Sequence, residues 1–291
     1  MKFPRLLLLA PLLLLALQPS ASAHQDPWGD IHPQVLVIDG NFAIDFNSQI
    51  PGKESGYTEG RPTYRMSYTP EGKLVAPRHL LERKRSHEEN GPAGIYGKRI
   101  RWGDSELIYG GERSDKPGYL VKSPDGKLTP VRLPWPEQVK LTYDDDFLAT
   151  AEGIAITAKE DRERLKFYWF PFASSGLPVI LDLGPTICIY DFPVASNIVW
   201  AGGKFWIAYM RYDPAPGGKE EDGGRTNLRL WSWKPGDPAA KDELMESPGF
   251  GNSHLSMAAI GDRLCLAYHA MVPPYHAEPM SRIITVFRKA E

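Results

Sequence analysis

Two stretches of this chain repeat one pattern: Ser196-Asn-Ile-Val-Trp-Ala-Gly-Gly-Lys-Phe-Trp-Ile-Ala-Tyr209 and Leu255-Ser-Met-Ala-Ala-Ile-Gly-Asp-Arg-Leu-Cys-Leu-Ala-Tyr268. In each, a tight turn at glycine joins two apolar runs, which is the pattern of a β-hairpin. The two Ala-Tyr ends lie 59 residues apart, at Tyr209 and Tyr268. A repeat of that period predicts stacked units that bury their faces against one another, and an all-strand unit of this length is typical of a propeller blade.

The full repeat consists of a hairpin, a polar loop and a third strand, and it occurs five times. Two turns agree as well, since Thr69-Pro-Glu-Gly-Lys-Leu74 and Ser123-Pro-Asp-Gly-Lys-Leu128 lie 54 residues apart in the same place within their repeats. We therefore predict an all-β chain, a five-bladed β-propeller, with residues 24–291 as its single domain. The alternative is a β-sandwich, which explains the strands but not the period. The last repeat ends after its third strand, so residues 28–31 either complete that blade or leave it short.

The first 23 residues have the features of a secretory signal peptide. Lys2 and Arg5 precede a leucine-rich run, and Ala21-Ser22-Ala23 offers a cleavage site before His24. The apolar run is too short to cross a bilayer, and no later segment approaches the roughly 20 apolar residues of a membrane helix. We expect a periplasmic or extracellular protein with no membrane span.

The charge of the chain argues against nucleic-acid partners, and its two cysteines are compatible either with a disulfide bond or with free thiols. The formal net charge is -2, and the charged residues are spread along the chain rather than grouped into tails. This gives no electrostatic footprint for nucleic acid. The two cysteines, Cys188 and Cys265, lie in apolar strands of separate repeats, where they are either bridged in an oxidising compartment or packed as small hydrophobes.

The direction of the strands predicts which loops share a face. Antiparallel strands reverse at each turn, so the short hairpin turns lie at one end of the sheets and the long connections at the other. We call these the short-loop end and the long-loop end. Long loops on a rigid scaffold are where binding sites usually occur. We therefore expect any site at the long-loop end.

The residues expected there are polar and aromatic, a composition that suits a glycan or a protein partner. The binding candidates are Asn47, Tyr57, Arg113, Asn197, Arg211, Tyr212, His254, His269, Tyr275 and His276. Glycoside hydrolysis needs two carboxyl groups on opposite sides of the scissile bond, and the candidates for these catalytic groups are Asp45 and Asp191. Further acidic residues on this face include Asp144, Asp145 and Asp146.

The sequence predicts neither a metal nor a cofactor. Three of the histidines above fall in the last repeat, but their spacings of 15 and 7 match no compact metal motif. A Gly-x-Ser-x-Gly elbow, a phosphate-binding loop and a His-Glu-x-x-His motif are all absent from the sequence.

The stretch Val194–Tyr209 resembles a blade of the five-bladed glycoside hydrolase propellers, and Asp26-Pro27 with His32-Pro33 resembles their opening. The resemblance implies a catalytic glutamate just before Asn197, where this chain has Val194-Ala195-Ser196 instead. Similarly, Ser123-Pro-Asp-Gly resembles the Asp-box turn of sialidase-like propellers, which is a structural turn. The resemblance therefore supports a fold by analogy rather than an activity.

These observations lead to one function and one alternative. We predict a secreted or periplasmic propeller that binds a protein or a glycan at its long-loop end without catalysis. The alternative is a carbohydrate-active enzyme, similar to glycoside hydrolases, that acts at the same end.

Overall fold

The computed structural model describes residues 30–48, 62–81, 99–102, 105–110, 118–122, 124–131, 146–160, 164–172, 178–185, 196–213, 225–246, 255–272 and 280–291. For the strands of residues 99–131, only the backbone is described. The described residues contain strands and turns, and they include no helix that is long and apolar enough to cross a membrane.

The strands follow one another in antiparallel sheets whose order in space equals their order in sequence. Sheet 1 contains β1 (Asp30–Ile38), β2 (Asn41–Ser48), β3 (Thr63–Tyr68) and β4 (Leu74–Leu80). Sheet 2 contains β5 (Arg99–Trp102), β6 (Ser105–Gly110), β7 (Gly118–Lys122) and β8 (Leu128–Val131). Sheet 3 contains β9 (Asp146–Ala149), β10 (Gly153–Glu160), β11 (Arg164–Pro171) and β12 (Val179–Pro185).

The last two sheets contain the stretches with which the sequence analysis began. Sheet 4 contains β13 (Ser196–Ala201), β14 (Lys204–Asp213), β15 (Arg225–Trp233) and β16 (Lys241–Glu246). Sheet 5 contains β17 (Leu255–Ile260), β18 (Arg263–Val272) and β19 (Met280–Lys289). The all-β class and the hairpins of the repeat are confirmed, and a two-sheet sandwich does not account for these separate sheets.

The first strands of the sheets lie next to one another and form an inner row. Contacts join β1 to β17, β17 to β13, β13 to β9, and β9 to β5. The sheets therefore follow each other in the order 1, 5, 4, 3, 2. Among the described strands, each inner strand has a hydrogen-bonded neighbour strand on one side only.

Apolar side chains fill the space between successive sheets. In β14, Phe205, Ile207 and Tyr209 pack on sheet 3, whereas Trp206 and Ala208 pack on sheet 5. Alternating side chains of a strand point to opposite faces, so a strand buried on both faces reads as a continuous apolar run. This explains why the repeat is apolar throughout its second strand.

Sheets 5 and 1 pack in the same manner around a buried cysteine. Cys265 is a free thiol that lies among Phe42, Ile44 and Ile283. Burial raises the pKa of the Cys265 thiol, so it stays protonated and behaves as a small hydrophobe. The other cysteine, Cys188, lies outside the described residues.

The turns fall where the sequence predicts them. Asp39 and Gly40 both have positive φ, 50° and 72°, as a two-residue hairpin turn requires. In the Ser123-Pro-Asp-Gly turn, the amide of Lys127 donates a hydrogen bond to Oδ1 of Asp125, at 3.1 Å, between the third and fourth strands of sheet 2.

The fifth sheet has three strands among the described residues, with β19 at its outer edge. Ile31, one of the residues considered for completing that sheet, pairs with Asn47 in sheet 1 instead. The described part of the chain therefore leaves the last sheet short.

The chain end packs against sheet 4 at the short-loop end. The amide of Ala290 donates to the carbonyl oxygen of Asp262, and Nζ of Lys204 donates to that of Glu291. A Cβ atom on Gly202 would lie 2.7 Å from the carbonyl oxygen of Ala290, whereas one on Gly203 would meet nothing within 4 Å.

Alanine variants of the two turn glycines, compared with each other, separate the cost of backbone strain from the cost of the contact with Ala290. Both glycines have positive φ, so Gly203→Ala is expected to lower the free energy of unfolding by about 1 kcal/mol through strain alone. Gly202→Ala should lower it further, because its methyl group displaces the chain end. Urea unfolding of both variants measures the difference. Equal losses in the two variants would contradict the contact with Ala290.

Candidate functional site

Two groups of polar side chains stand out among the described sheets. One is a buried hydrogen-bond network along the inner strands. The other lines an open pocket between sheets 3 and 4.

The inner network joins neighbouring sheets through one repeated hydrogen bond. Oδ2 of Asp146 accepts from the amide of Ile198 at 2.7 Å, and Oδ1 of Asn197 accepts from the amide of Met257 at 2.5 Å. Oγ of Ser256 accepts in the same way from the amide of Val35, at 2.9 Å. In each bond, a polar side chain of one inner strand bonds a backbone amide of the next.

The accepting side chains share one position in their sheets. Asn197 lies opposite Ala208, Ser256 lies opposite Ala267, and Asp146 lies opposite Thr157. Each is four residues before the hairpin turn begins, at Ala201, Ile260 and Thr150 respectively. The hydrogen bonds thus follow from the register of the repeat.

Asp146 is the most heavily engaged member of this network. Its side chain is completely buried, its Oδ1 accepts from the amide of Phe147 at 2.8 Å, and its Oδ2 also accepts from Nδ2 of Asn197 at 2.6 Å. A buried carboxylate is stabilised by such charge-assisted hydrogen bonds. This environment holds the sheets together and leaves Asp146 no contact with solvent.

Asp45, a predicted catalytic carboxylate, is also completely buried. Its Oδ1 and Oδ2 accept from Nε and Nη2 of Arg65 at 2.6 and 2.8 Å, across neighbouring strands of sheet 1. These hydrogen bonds raise the pKa of the Arg65 guanidinium. The structure therefore gives Asp45 a place in a bidentate ion pair, and its catalytic role stays a prediction.

Among the binding candidates, Asn47 and Asn197 are buried and Arg211 is partly exposed. Nδ2 of Asn47 donates to Oγ1 of Thr63 at 3.4 Å. Tyr212 and His269 lie in β14 and β18, opposite Thr226 and Ile283, and the orientation of their side chains is not described. The remaining predicted residues lie outside the described part of the chain: Tyr57, Arg113, Asp191, His254, Tyr275 and His276.

Arg211 lines a pocket of about 430 Å³ between sheets 3 and 4. The wall from sheet 3 comprises Arg164 and the segment 181–185. The wall from sheet 4 comprises Tyr209, Arg211, Trp231, Ala240 and Asp242. A concave site of this volume falls within the range of small-molecule pockets, which is about 300 to 1,000 Å³.

Asp242 is the hydrogen-bond acceptor of the sheet 4 wall. Nε of Arg229 donates to both of its carboxylate oxygens, at 3.1 and 2.9 Å, and Nη1 of Arg211 lies 3.4 Å from Oδ2. The hydroxyl of Tyr209 contacts Oδ1 at 3.2 Å and the carbonyl oxygen of Leu183 at 3.1 Å. Burial, followed by the charge of Asp242, raises the pKa of Tyr209, so this hydroxyl stays protonated.

The sheet 3 wall carries an ion pair of its own. Nη2 of Arg164 donates to Oδ2 of Asp182, and the amide of Gly184 donates to Oδ1 at 2.9 Å. Burial alone would raise the pKa of Asp182, but the hydrogen bonds and the charge of Arg164 outweigh burial and lower it. Asp182 is therefore an ionised acceptor.

Gly184 allows the two walls to approach. Its φ is 102°, in the region that favours glycine, and a Cβ atom there would lie 3.4 Å from Cδ and Nε of Arg211. The stem of Arg211 thus lies along the backbone of β12. Arg164, Asp182 and Asp242 were not among the predicted site residues, since they belong to third and fourth strands whose polar side chains alternate like those of any exposed strand.

Comparison with known proteins finds similarity at the level of structure. No model of a protein family matches the chain, and no curated protein matches its sequence. The glycoside hydrolase family 43 enzyme from Xanthomonas citri complexed with xylotriose matches with a TM-score of 0.45 and 10% identity over 91% of this chain and 90% of that one.

Two further structures give similar values. The catalytic domain of the Coprinopsis cinerea family 62 alpha-L-arabinofuranosidase matches with a TM-score of 0.40 and 12% identity, over 89% of this chain and 90% of that one. The β-propeller domain of the Trilobed protease from Pyrococcus furiosus matches with a TM-score of 0.38 and 11% identity, over 88% of this chain and 69% of that one. The neighbours thus include glycoside hydrolases and a propeller domain. The function of this chain is argued from its own residues.

Substitution of Asn197 tests the inner network. Asn197→Ala leaves the buried amide of Met257 without its acceptor and removes a donor to Asp146, so we expect the free energy of unfolding to fall by about 2 to 4 kcal/mol. The control is Asn41→Ala at the start of β2, where Nδ2 donates an exposed hydrogen bond to the carbonyl oxygen of Asp39 and the loss should stay below about 1 kcal/mol. Thermal and urea unfolding measure both. A loss at Asn197 no larger than that at Asn41 would refute a stabilising role for the network.

Proposed function

We propose that this protein is a glycan-binding propeller that holds its ligand in the pocket at Arg211 without cleaving it. The observation that carries the proposal is the pocket itself, because a predicted binding residue at the long-loop end lines a concave site of small-molecule size. Specific protein partners usually cover about 800 Å² of surface on each side rather than fill a pocket. The shape therefore favours one or a few sugar units over a protein.

The chemistry of the pocket favours binding over hydrolysis. A glycosidase needs one carboxylic acid whose pKa is raised, so that it can protonate the leaving group. Asp182 has a lowered pKa, and Asp242 accepts hydrogen bonds from two arginines and a tyrosine. Ionised carboxylates and guanidinium groups are, in contrast, good partners for sugar hydroxyls. The alternative function, a carbohydrate-active enzyme, keeps Asp45 and Asp191 as its candidate carboxylates.

We further propose that the protein acts in the periplasm or outside the cell, and that its sheets are the blades of a closed five-bladed ring. The first proposal is supported by the signal-peptide features of residues 1–23. The second is supported by the repeated position of the inner network. Gln34 in sheet 1 lies opposite Asp45, which is the position of Asn197 and Ser256 in their sheets.

The ability of the residue at the position of Gln34 to accept a hydrogen bond differs from sheet to sheet. In sheet 2, the residue four positions before the hairpin turn is Lys98. Its ammonium group donates hydrogen bonds and cannot accept one. In sheet 3, the amide of Phe147 donates to Oδ1 of its own neighbour, Asp146, at 2.8 Å. Gln34 has an amide oxygen, and we assign it the amide of Arg99 as its donor, which would join sheets 1 and 2.

Amide hydrogen exchange tests this closure. Gln34→Ala should speed hydrogen exchange at the amide of Arg99. Likewise, Ser256→Ala should speed exchange at the amide of Val35, which donates a hydrogen bond to Oγ of Ser256. Exchange measured by NMR on both variants gives the comparison. The closed ring would be contradicted if, in the unaltered protein, the amide of Arg99 already exchanges as fast as an amide without a hydrogen-bond acceptor.

Binding measurements test the glycan proposal. We expect the mature protein to bind members of a glycan array, and Arg211→Met to weaken that binding at least tenfold, because a hydrogen bond to a charged group is worth about 1.5 to 3 kcal/mol. The matched control is Arg263→Met, which removes one arginine at the short-loop end, where Nε lies 3.7 Å from Asp262.

Two results would overturn the proposal in different directions. New reducing ends in the bound glycan, detected by mass spectrometry after incubation, would make the protein an enzyme. Absence of binding to every glycan on the array would remove the glycan as ligand and leave a protein partner.

A further inference from the structure

We infer that the outer edge of β19 accepts an extended segment of a partner protein, in which apolar residues alternate with an acidic residue that pairs with Arg282. The site lies apart from the Arg211 pocket, and the inference does not rest on the glycan-binding function. The short fifth sheet, the arginines of the third strands and the apolar residues beside β19 carry it.

The outer edge of β19 lies between the fourth strands of two longer sheets. Sheet 5 packs between sheets 1 and 4, and both of these have a fourth strand where sheet 5 ends at its third among the described strands. Gly72, at the turn before β4, lies against the ring of Phe287, and Glu243 of β16 accepts hydrogen bonds from Arg288 at 2.8 and 2.9 Å. We call the space beyond β19, between β4 and β16, the edge slot. It admits a single strand, whereas the sheet of a second copy would meet β4 and β16 first.

The backbone of β19 offers hydrogen bonds to the edge slot. The amide of Ala290 donates to the carbonyl oxygen of Asp262, and the register between β18 and β19 has no bulge. Hydrogen-bonded and non-hydrogen-bonded positions alternate along an antiparallel pair. The even-numbered residues of β19 therefore bond β18, and the N–H and C=O groups of Ile283, Thr285 and Phe287 point toward the slot.

Arg282 in β19 differs from the arginines of the other third strands. In sheets 1, 3 and 4, a third-strand arginine bonds an aspartate of its own sheet, and the pairs are Arg65 with Asp45, Arg164 with Asp182, and Arg229 with Asp242. The Nε atom of Arg282 is buried and has no hydrogen-bond partner among the described residues. A buried donor without an acceptor costs free energy, so an acceptor from outside the chain would stabilise this position.

Arg282 has the same position in sheet 5 as Arg164 has in sheet 3. Arg164 lies opposite Glu160, and Arg282 lies opposite Ala270. Each of these second-strand residues comes three positions after the residue that pairs with the inner network. Arg164 has its partner on the fourth strand, and the corresponding strand is the one that sheet 5 lacks among the described residues.

The register of sheets 3 and 4 shows where the acidic residue would lie. In both sheets, the aspartate of the fourth strand lies opposite the residue two positions after the arginine: Asp182 lies opposite Lys166, and Asp242 lies opposite Trp231. In sheet 5, the same offset leads to Ile284, two positions after Arg282. An acidic residue opposite Ile284 would therefore share a face with Arg282 and contact it.

The wall of the edge slot on the side of sheet 1 is apolar. Leu74 and Leu80 lie opposite Tyr68 and Tyr64, whose side chains pack toward sheet 5, and they are 46% and 58% exposed. Successive side chains of an added strand point to opposite faces, so the neighbours of the acidic residue would face this wall. A segment with leucine on each side of aspartate, as in residues 181–183 of β12, matches both walls.

The chain has too few residues before β1 to supply the added strand. After the cleavage proposed before His24, six residues precede Asp30. The fourth strands of sheets 1, 3 and 4 comprise seven, seven and six residues. A strand of that length would leave no residue to connect the edge slot to the inner strand of sheet 1. The occupant is therefore an extended segment of another protein.

Binding of labelled peptides to the mature protein tests the inference. The acidic probe is the heptapeptide Val-Ile-Leu-Asp-Leu-Gly-Pro, which copies β12, and the matched neutral probe has asparagine in place of aspartate. In fluorescence anisotropy, we expect the acidic probe to bind at least about fivefold more tightly, because a charge-assisted hydrogen bond is roughly twice as strong as a neutral one. Equal affinity for the two probes would contradict the pairing with Arg282.

N-methylated forms of the acidic probe test strand addition itself. With the aspartate opposite Ile284, the amides of the two leucines bond β19 at Ile283 and Thr285, whereas the amides of the isoleucine and the aspartate point away. Methylation of both leucine amides should weaken binding at least about tenfold, because two hydrogen bonds are lost. Methylation of the other two amides should leave the affinity within about twofold. Equal losses from the two modifications would overturn strand addition.

Arginine variants locate the contact. Arg282→Met should bring the affinities for the acidic and neutral probes within about twofold of each other, because the charge that distinguishes them is gone. Arg263→Met, which removes an arginine at the short-loop end of β18, should keep the full preference. A melting temperature near that of the unaltered protein shows that each variant is folded. A preference that survives in folded Arg282→Met would place the probe at another strand and overturn the inference.

A shortened chain distinguishes a partner from the chain's own first residues. Similar affinity of the acidic probe for the mature protein and for a variant that begins at Asp30 would support a segment of another protein. Binding to the shortened variant alone would mean that residues 24–29 occupy the edge slot and would overturn the partner. Absence of binding to both would remove the slot as a binding site and leave the glycan-binding function standing.

Discussion

The inner strand of each sheet has a strand neighbour on one side only, and the rest of the structure depends on how its other side is satisfied. Every second amide of such a strand points away from its sheet, and a buried amide without an acceptor costs about 1 to 3 kcal/mol. In this protein, the side chain of the preceding sheet supplies the acceptor: Asp146 for Ile198, Asn197 for Met257, and Ser256 for Val35. At each of these three contacts, one hydrogen bond thus fixes both the spacing and the relative height of the neighbouring sheets.

This constraint acts together with apolar packing, and the two have different roles. The contacts around Phe205 and Trp206 stabilise the stack through buried area, which tolerates small sliding movements because the hydrophobic effect is not directional. Hydrogen bonds between defined atoms do not tolerate sliding. The polar residues at the long-loop end therefore set the register between sheets, and the aromatic residues behind them supply the stability.

The repeat made the strands, the hairpins and the long-loop end predictable from sequence. Periodicity also placed polar residues at that end, but it did not distinguish those that hold the sheets together from those that face a ligand. Asn197 and Arg211 belong to neighbouring strands of sheet 4, and both are polar residues in apolar surroundings. One is buried between inner strands and the other lines a pocket, and that difference depends on which side chain of a distant repeat lies opposite.

Arg164, Asp182 and Asp242, which the sequence analysis did not predict, also depend on contacts between distant parts of the chain. Asp242 lies 31 positions after Arg211 in sequence, and its contact with Arg211 depends on the register between β15 and β16, which includes a bulge between Leu228 and Arg229. Arg164 and Asp182 form an ion pair between neighbouring strands of sheet 3, and they line the same pocket as Arg211, whose stem lies against Gly184. No local pattern encodes such a meeting of two sheets.

The aspartates have different roles because some lie on inner strands and others on outer strands. Asp45 and Asp146 are completely buried and accept several hydrogen bonds, and moving either side chain into contact with a substrate would break these bonds. Asp182 and Asp242 lie at the outer strands, where they accept hydrogen bonds from neighbouring arginines without tying the sheets together at their centre. A ligand that bridges the walls of sheets 3 and 4 would add contacts present only in the folded state. Binding at this pocket would therefore stabilise the packing of the two sheets by mass action, and the gain would rise with the logarithm of one plus the ratio of ligand concentration to dissociation constant.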